Sequence, residues 1–267
     1  MNTEKAKVHF TNNYLINPTN PIAVNLIGAG GTGSKVLTAL MEMNHSLIAL
    51  GHAGLQVRLW DDDRVSQANI GRQRFAPCEV GLYKSVALIN RVNRFMGTVW
   101  KAETVQFKKD GLGKLPDNAK ATLTISCVDT VDARFEIAEM LRHQGNGYYN
   151  MNHPRYWMDF GNSQHTGQVL LSTIGKINQP QSEKFETVAS LPMVTEEFGD
   201  LLRQSEQLDN TPSCSLADAL NKQDLYINST LAQMGCSLLW GLFRQGLTQN
   251  RGFFLNLKDF RTVPISV

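Results

Sequence analysis

Short apolar runs that stop at glycine or at an acidic residue, each followed by an apolar stripe at helical spacing, organise the first half of this chain. Ile22–Ile27 (IAVNLI) is such a run and ends at a glycine cluster, as a buried parallel strand does. Residues 34–50 carry Val36, Leu37, Leu40, Met43 and Leu47 on one side, which predicts a helix. Leu55–Trp60 (LQVRLW) predicts a second strand, running out into Asp61, Asp62 and Asp63. Beyond it, 80–96 reads as helix, 99–107 as extended chain, 121–127 (ATLTISC) as a third strand and 132–144 as helix. Strand and helix alternating at this spacing predict an α/β fold, a Rossmann-like doubly wound and mostly parallel sheet.

The second half has a different pattern. Residues 157–160 and 168–174 read as strands, whereas 178–211 is polar and interrupted by proline, which predicts a long loop or lid. From Ser215 the residues Leu216, Leu220, Ile227, Leu231, Met234, Leu238 and Leu242 recur at three- and four-residue steps. That is a helical stripe, with Ser215 and Asp218 spaced to cap it. Such a stripe suits either a core face or an apolar surface between two copies. Strand-like pieces at 253–257 and 262–267 predict antiparallel strands that complete the sheet. The organisation expected is a polar arm over 1–21, a main domain over 22–176, a crossover or lid loop over 177–213, and a helix with strands over 214–267.

Composition narrows the function classes. At 267 residues the chain suits one large α/β domain with a small appendage. Its 26 Lys and Arg nearly balance 24 Asp and Glu, which argues against a nucleic-acid partner. No stretch approaches the roughly 20 apolar residues of a membrane span, so no membrane partner is expected and the cytoplasm is the expected location. The cysteines Cys78, Cys127, Cys214 and Cys236 form no CxxC pair, so neither a structural zinc site nor a disulfide framework is expected. The histidines His9, His45, His52, His143, His153 and His165 show no metal-ligand spacing.

Gly28-Ala29-Gly30-Gly31-Thr32-Gly33 fits G-x-G-x-x-G between a strand and a helix. Glycines there let the chain turn tightly and bring backbone N–H groups to a phosphate at the helix N-terminus. Asp61, ending the next strand, is placed to bind ribose hydroxyls. This much suits NAD, FAD or ATP alike. The segments that follow discriminate between them: Asp61-Asp62-Asp63-Arg64-Val65, then Asn69-Ile70-Gly71-Arg72-Gln73, Gly81-Leu82-Tyr83-Lys84, and Cys127-Val128-Asp129 with Arg134 beyond. Hydride transfer has no evident need for these cations or for a further strand-end carboxylate. Nucleotidyl transfer needs cations to neutralise a triphosphate and a carboxylate to hold Mg²⁺.

With these motifs the chain resembles the ThiF/MoeB/HesA enzymes, bacterial relatives of ubiquitin-activating enzymes. The pieces that carry the resemblance are GAGGTGS at 28–34, DDDRVSQANIGRQ at 61–73, GLYK at 81–84, CVDTVDAR at 127–134 and GQV at 167–169. The segment 212–242 is similar to the branch of that family found in PRTRC-type mobile-element gene clusters. The resemblance implies that the backbone at Gly28, Gly30, Gly31 and Gly33 approaches the phosphates and that Asp61 binds the ribose. Asn69, Arg72 and Lys84 would contact the triphosphate, with Asp63 and Gln73 also in the nucleotide site, and Asp129 would coordinate Mg²⁺. It further implies adenylation of the C-terminal carboxylate of a small ubiquitin-like or sulfur-carrier-like protein, by a homodimer. Taken singly, Arg72 and Lys84 also suit surface charges, and Asp129 a helix cap.

Three departures stand beside the match. The paired CxxC motifs common in the family are missing, residues 1–57 contain no arginine where relatives reach ATP in the partner subunit, and Ala68 replaces a frequent serine. Lys5 and Lys7 are the cations left in that arm. Cys214, near an expected helix N-terminus that would favour a thiolate, suits a thioester acceptor, a small buried residue or the remnant of a lost metal site. Two other function classes remain: a non-catalytic family member that binds nucleotide or partner, and a NAD-dependent oxidoreductase, which Arg72, Lys84 and Asp129 oppose.

Overall fold

A computed structural model describes residues 5–109, 117–143, 153–206 and 223–267. The strands are β1 (Lys7–Phe10), β2 (Ile22–Ile27), β3 (Leu55–Trp60), β4 (Lys101–Glu103), β5 (Leu123–Ser126), β6 (Tyr156–Asn162), β7 (Thr166–Thr173), β8 (Glu186–Thr187), β9 (Leu247–Thr248), β10 (Asn250–Asn256) and β11 (Arg261–Ser266). The helices are α1 (Asn13–Ile16), α2 (Gly33–Ala49), α3 (Lys84–Met96), α4 (Val131–Arg142), α5 (Val194–Glu197), α6 (Gly199–Glu206) and α7 (Ile227–Gln245).

Eight strands form one sheet in the order β11-β10-β7-β6-β5-β2-β3-β4. From β4 to β6 every pairing is parallel, and from β6 to β11 every pairing is antiparallel. The pattern of side chains dictates why β2 sits in the interior of the sheet. On β2, Val24 and Leu26 enter the cluster shared with Leu37 and Leu40 of α2 and with Leu231, Leu239 and Leu242 of α7. Its next residue, Ile27, points to the opposite face and packs with Ile137 and Leu141 of α4. Apolar on both faces, such a strand must be covered on both. The one polar residue of β2, Asn25, is bonded rather than wasted. Its Nδ2 donates to the Ala119 carbonyl at 2.6 Å, and its Oδ1 accepts from Trp60 Nε1 at 3.0 Å.

Three expectations need correction. Helix α3 begins at Lys84 rather than at 80, because Gly81 sits at φ +89° after a 3₁₀ turn at Pro77–Glu79. The polar arm is built into the fold: β1 pairs with β8 and β9 in a separate three-stranded sheet, and Val8 and Leu15 are fully buried. The segment read as a loop carries β8, α5 and α6 as far as residue 206. From Ile227 onward the stripe packs largely into the core, with Ile227, Leu231 and Leu242 fully buried and Met234 and Leu238 half-buried. Cys214 and the Ser215–Asp218 cap lie outside the described residues.

Candidate nucleotide site

β2 and β5 are neighbours, yet the chain leaves β2 to build β3 and β4 on one side and returns to build β6 on the other. The crevice where such a sheet reverses direction, beyond the strand C-termini, is where doubly wound folds bind ligands. A cavity of about 600 Å³ lies there.

The glycine loop forms its floor. Gly28 turns at φ +91°, and a Cβ added to it would come within 2.7 Å of the Cys127 carbonyl oxygen. A Cβ on Gly33 would meet the Gly28 carbonyl oxygen at 1.9 Å, so the turn closes only with glycine at both places. Thr32 precedes α2 without capping it, leaving N–H groups of a 17-residue helix without side-chain partners at the cavity. Asp61 anchors the loop from the next strand. Its Oδ2 accepts from the Ala29 N–H at 2.6 Å and its Oδ1 from the Asp63 N–H at 3.1 Å. Burial pushes the Asp61 carboxyl above its usual range, partly offset by the bond from Ala29 and by Lys84.

Gly28, Gly30, Gly31, Asp61, Asp63, Arg72, Gln73, Lys84 and Asp129 all border this cavity. Sequence separations of up to a hundred residues are thus closed into one site. Lys84, buried on the first turn of α3, pairs through Nζ with Asp63 Oδ2 at 2.7 Å. Arg72 makes no ion pair among the described residues, and its Nε is buried without a partner. Gln73 is buried with its Oε1 unpartnered. Such orphaned polar atoms in a cleft are expected where a ligand completes the bonding. Asp129 is not the cap of α4. Thr130 fills that role, accepting from the Ala133 N–H, and the exposed Asp129 carboxylate makes no bond among the described residues. Asp61, Asp62, Asp63, Asp132 and Glu136 border the same cavity, and a carboxylate left without a partner among the described residues, as that of Asp129 is, is a hard oxygen donor of the kind Mg²⁺ takes. No cluster of three metal-ligating side chains occurs among the described residues.

Asn69 and Gly33 are not brought to the cavity wall. The Asn69 Oδ1 accepts instead from the Ser66 N–H at 2.8 Å and from its hydroxyl at 3.1 Å, stabilising the turn that delivers Arg72. Apolar lining is supplied by Ile27, Trp60, Phe107 and Val128, with the Trp60 and Phe107 rings edge to face at 5.2 Å, and ligand pockets are lined in this way by apolar and aromatic side chains. Asn162, Gln223 and Asn228 also border the cavity. No local motif announces these three: Asn162 ends β6, Gln223 precedes α7 and Asn228 lies in its first turn, and all reach the site only through the tertiary fold.

The fold and the cleft together define a doubly wound, Rossmann-type domain with a glycine-loop site. A family model described as the ThiF family matches residues 20–259, and this chain belongs to the ThiF family. No curated protein matches it. Among solved structures, PaaA is 17% identical with a TM-score of 0.59, the match covering 92% of this chain and 64% of PaaA. MccB of E. coli solved with MccA is 12% identical with a TM-score of 0.56, covering 94% of this chain and 64% of MccB. The same protein solved with ATP is 14% identical with a TM-score of 0.54, over 94% and 64%. At these identities the likeness is one of fold, and this chain spans less than two thirds of those proteins. No described helix is long and apolar enough to cross a membrane.

Proposed function

We propose that this chain is an ATP- and Mg²⁺-dependent adenylyltransferase that activates the C-terminal carboxylate of a small ubiquitin-like or sulfur-carrier-like protein in the cytoplasm. The observation that carries the reading is the gathering of the glycine loop, Asp61, Arg72, Lys84 and Asp129 around one cleft in a ThiF-family chain. The MccB structures determined with ATP and with MccA support a nucleotide and a separate acceptor as the two substrates.

In this reading the apolar lining takes the adenine, Asp61 the ribose, and the loop backbone the phosphates. A C-terminal carboxylate is already ionised at pH 7 and needs no general base. Its oxygen attacks the α-phosphorus, the bond to the β-phosphate oxygen breaks, and an acyl-adenylate and pyrophosphate result. Arg72 and Lys84 stabilise the charge that grows on the departing pyrophosphate. Mg²⁺ on the Asp129 carboxylate would supply further charge neutralisation at the phosphate oxygens. Gln73, with its free Oε1, and Asp63, which holds Lys84, complete the nucleotide contacts.

The chain acts as a homodimer in this proposal, as the enzymes it resembles do; light scattering at micromolar concentration should return twice the mass of the chain, and a monomer with full activity would contradict it. Cys214 is proposed as a later thioester acceptor, and adenylate formation does not depend on it. Calorimetry tests the site itself. ATP should bind only with Mg²⁺ present and more tightly than NAD, and tighter binding of NAD would overturn the adenylation reading.

A further inference from the structure

Four side chains, drawn from three distant parts of the sequence, form one hydrogen-bonded chain along the wall of the cavity. Arg72 Nη1 donates to Gln223 Oε1 at 2.7 Å, and Asn228 Nδ2 donates to the same oxygen at 2.8 Å. Asn228 Oδ1 accepts from the Thr32 hydroxyl at 2.7 Å. The orientation of each amide follows from chemistry. A guanidinium is donor only, so Gln223 must offer it oxygen. Asn228 must then give its N–H to that oxygen, which leaves its own oxygen for the hydroxyl of Thr32. Asn228 is only 1% exposed, and a Cβ on Gly31 would come within 2.8 Å of its Nδ2, so the amide lies directly against the glycine loop.

Two cations beside this chain of bonds, Arg72 and Lys35, lack carboxylate partners among the described residues, although Lys35 Nζ donates to the Arg72 carbonyl at 2.9 Å. Burial, with Arg74 and Arg72 nearby, pulls the Lys35 amine down to about 8. Lys84, by contrast, is paired with Asp63. An arginine that served only to knit the fold would be expected to meet a carboxylate, because a buried guanidinium without a counter-charge is costly. Here the partner is a neutral amide, which fixes the direction of the fork without cancelling its charge.

We propose that Gln223 and Asn228 are positioning residues: they aim the Arg72 guanidinium at the phosphate end of the cavity, still fully charged, and couple it to the glycine loop through Thr32. Arg72 is then already oriented when an anion enters. The inference rests on the adenylation reading for its role in catalysis, and on the bonds alone for its role in anion binding.

A double-mutant cycle decides it, read both in the affinity for inorganic triphosphate and in ATP–pyrophosphate exchange. Asn228→Ala should lower each by on the order of 10-fold in the parent chain. In an Arg72→Ala background the same change should cost less than about 2-fold, since residues acting as one unit are not additive. Gln223→Glu is the second arm. It keeps both hydrogen bonds and should leave the melting temperature undiminished, yet weaken triphosphate binding by neutralising Arg72. Gln223→Met replaces Asn228→Ala in the cycle should the latter fail to fold. Additive losses, or triphosphate bound as tightly by Gln223→Glu as by the parent, would overturn the proposal. Absence of exchange in the parent chain would count against adenylation, while the triphosphate cycle would still judge the positioning role.

Discussion

Asp129 is placed by an arginine that never enters the cavity wall itself. Arg134, buried on α4, donates to the carbonyls of Val128 at 2.7 Å and Thr130 at 3.1 Å, on either side of Asp129. Its Nε donates to Asp159 at 3.1 Å, a partner only 1% exposed. The loop is therefore held by its backbone, and the Asp129 side chain is left unused for structure. Asp129→Ala should lower adenylate formation by roughly 10²–10³, the usual loss for one electrostatic contact to a transition state, with the melting temperature unchanged. Full exchange activity in that variant would remove the metal assignment. At this scale the sequence exposed what lies in local motifs: the glycine loop, Asp61, Arg72, Lys84 and Asp129 all border the cleft. It did not expose the roles of Asn162, Gln223 or Asn228, which belong to no phosphate-site motif and meet the glycine loop and Arg72 only in the folded chain. Asn69 shows the converse, a motif residue whose side chain is spent on its own turn.

Among the elements, β2 and β3 coincide with the runs read from the sequence: β2 is buried on both faces and ends just before Gly28, and β3 alternates buried Leu55, Val57 and Leu59 with half-buried Gln56 and Arg58 before the acidic run. The arm was the least legible. Its polar composition hides Val8 and Leu15, and also His9, which is fully buried. His9 Nδ1 lies 2.7 Å from the Val188 carbonyl, which can only accept, so that nitrogen donates. Nε2 then accepts from the Tyr156 hydroxyl at 2.9 Å, which itself accepts from the Asn12 N–H at 2.8 Å. Only neutral imidazole satisfies this arrangement, and burial lowers the His9 pKa despite the bond to Val188. A pKa lowered by folding means stability that is intact above the unfolded value of about 6.5 and is lost as pH falls through the folded-state value. Between pH 7.5 and 5.5 the parent chain should therefore lose more thermal stability than His9→Gln. Equal losses in the two would show that His9 does not hold the arm through its neutral form.

For the whole molecule, the parallel half of the sheet places the glycine loop, the Asp61 strand end and the Asp129 loop side by side at the point where the strand order reverses. The end of β6, the first turn of α7 and the residues just before it then close the cleft from the other side, contributing Asn162, Asn228 and Gln223. A scaffold that merely bound nucleotide would need the first half of this arrangement but not a second substrate. Pyrophosphate exchange separates the two most directly. With Mg²⁺ and a small ubiquitin-like or sulfur-carrier-like protein bearing a free C-terminus, labelled pyrophosphate should be incorporated into ATP, and amidation of that C-terminus should abolish incorporation. ATP bound tightly with no exchange under any such partner, or exchange indifferent to amidation, would contradict adenylation of a C-terminal carboxylate.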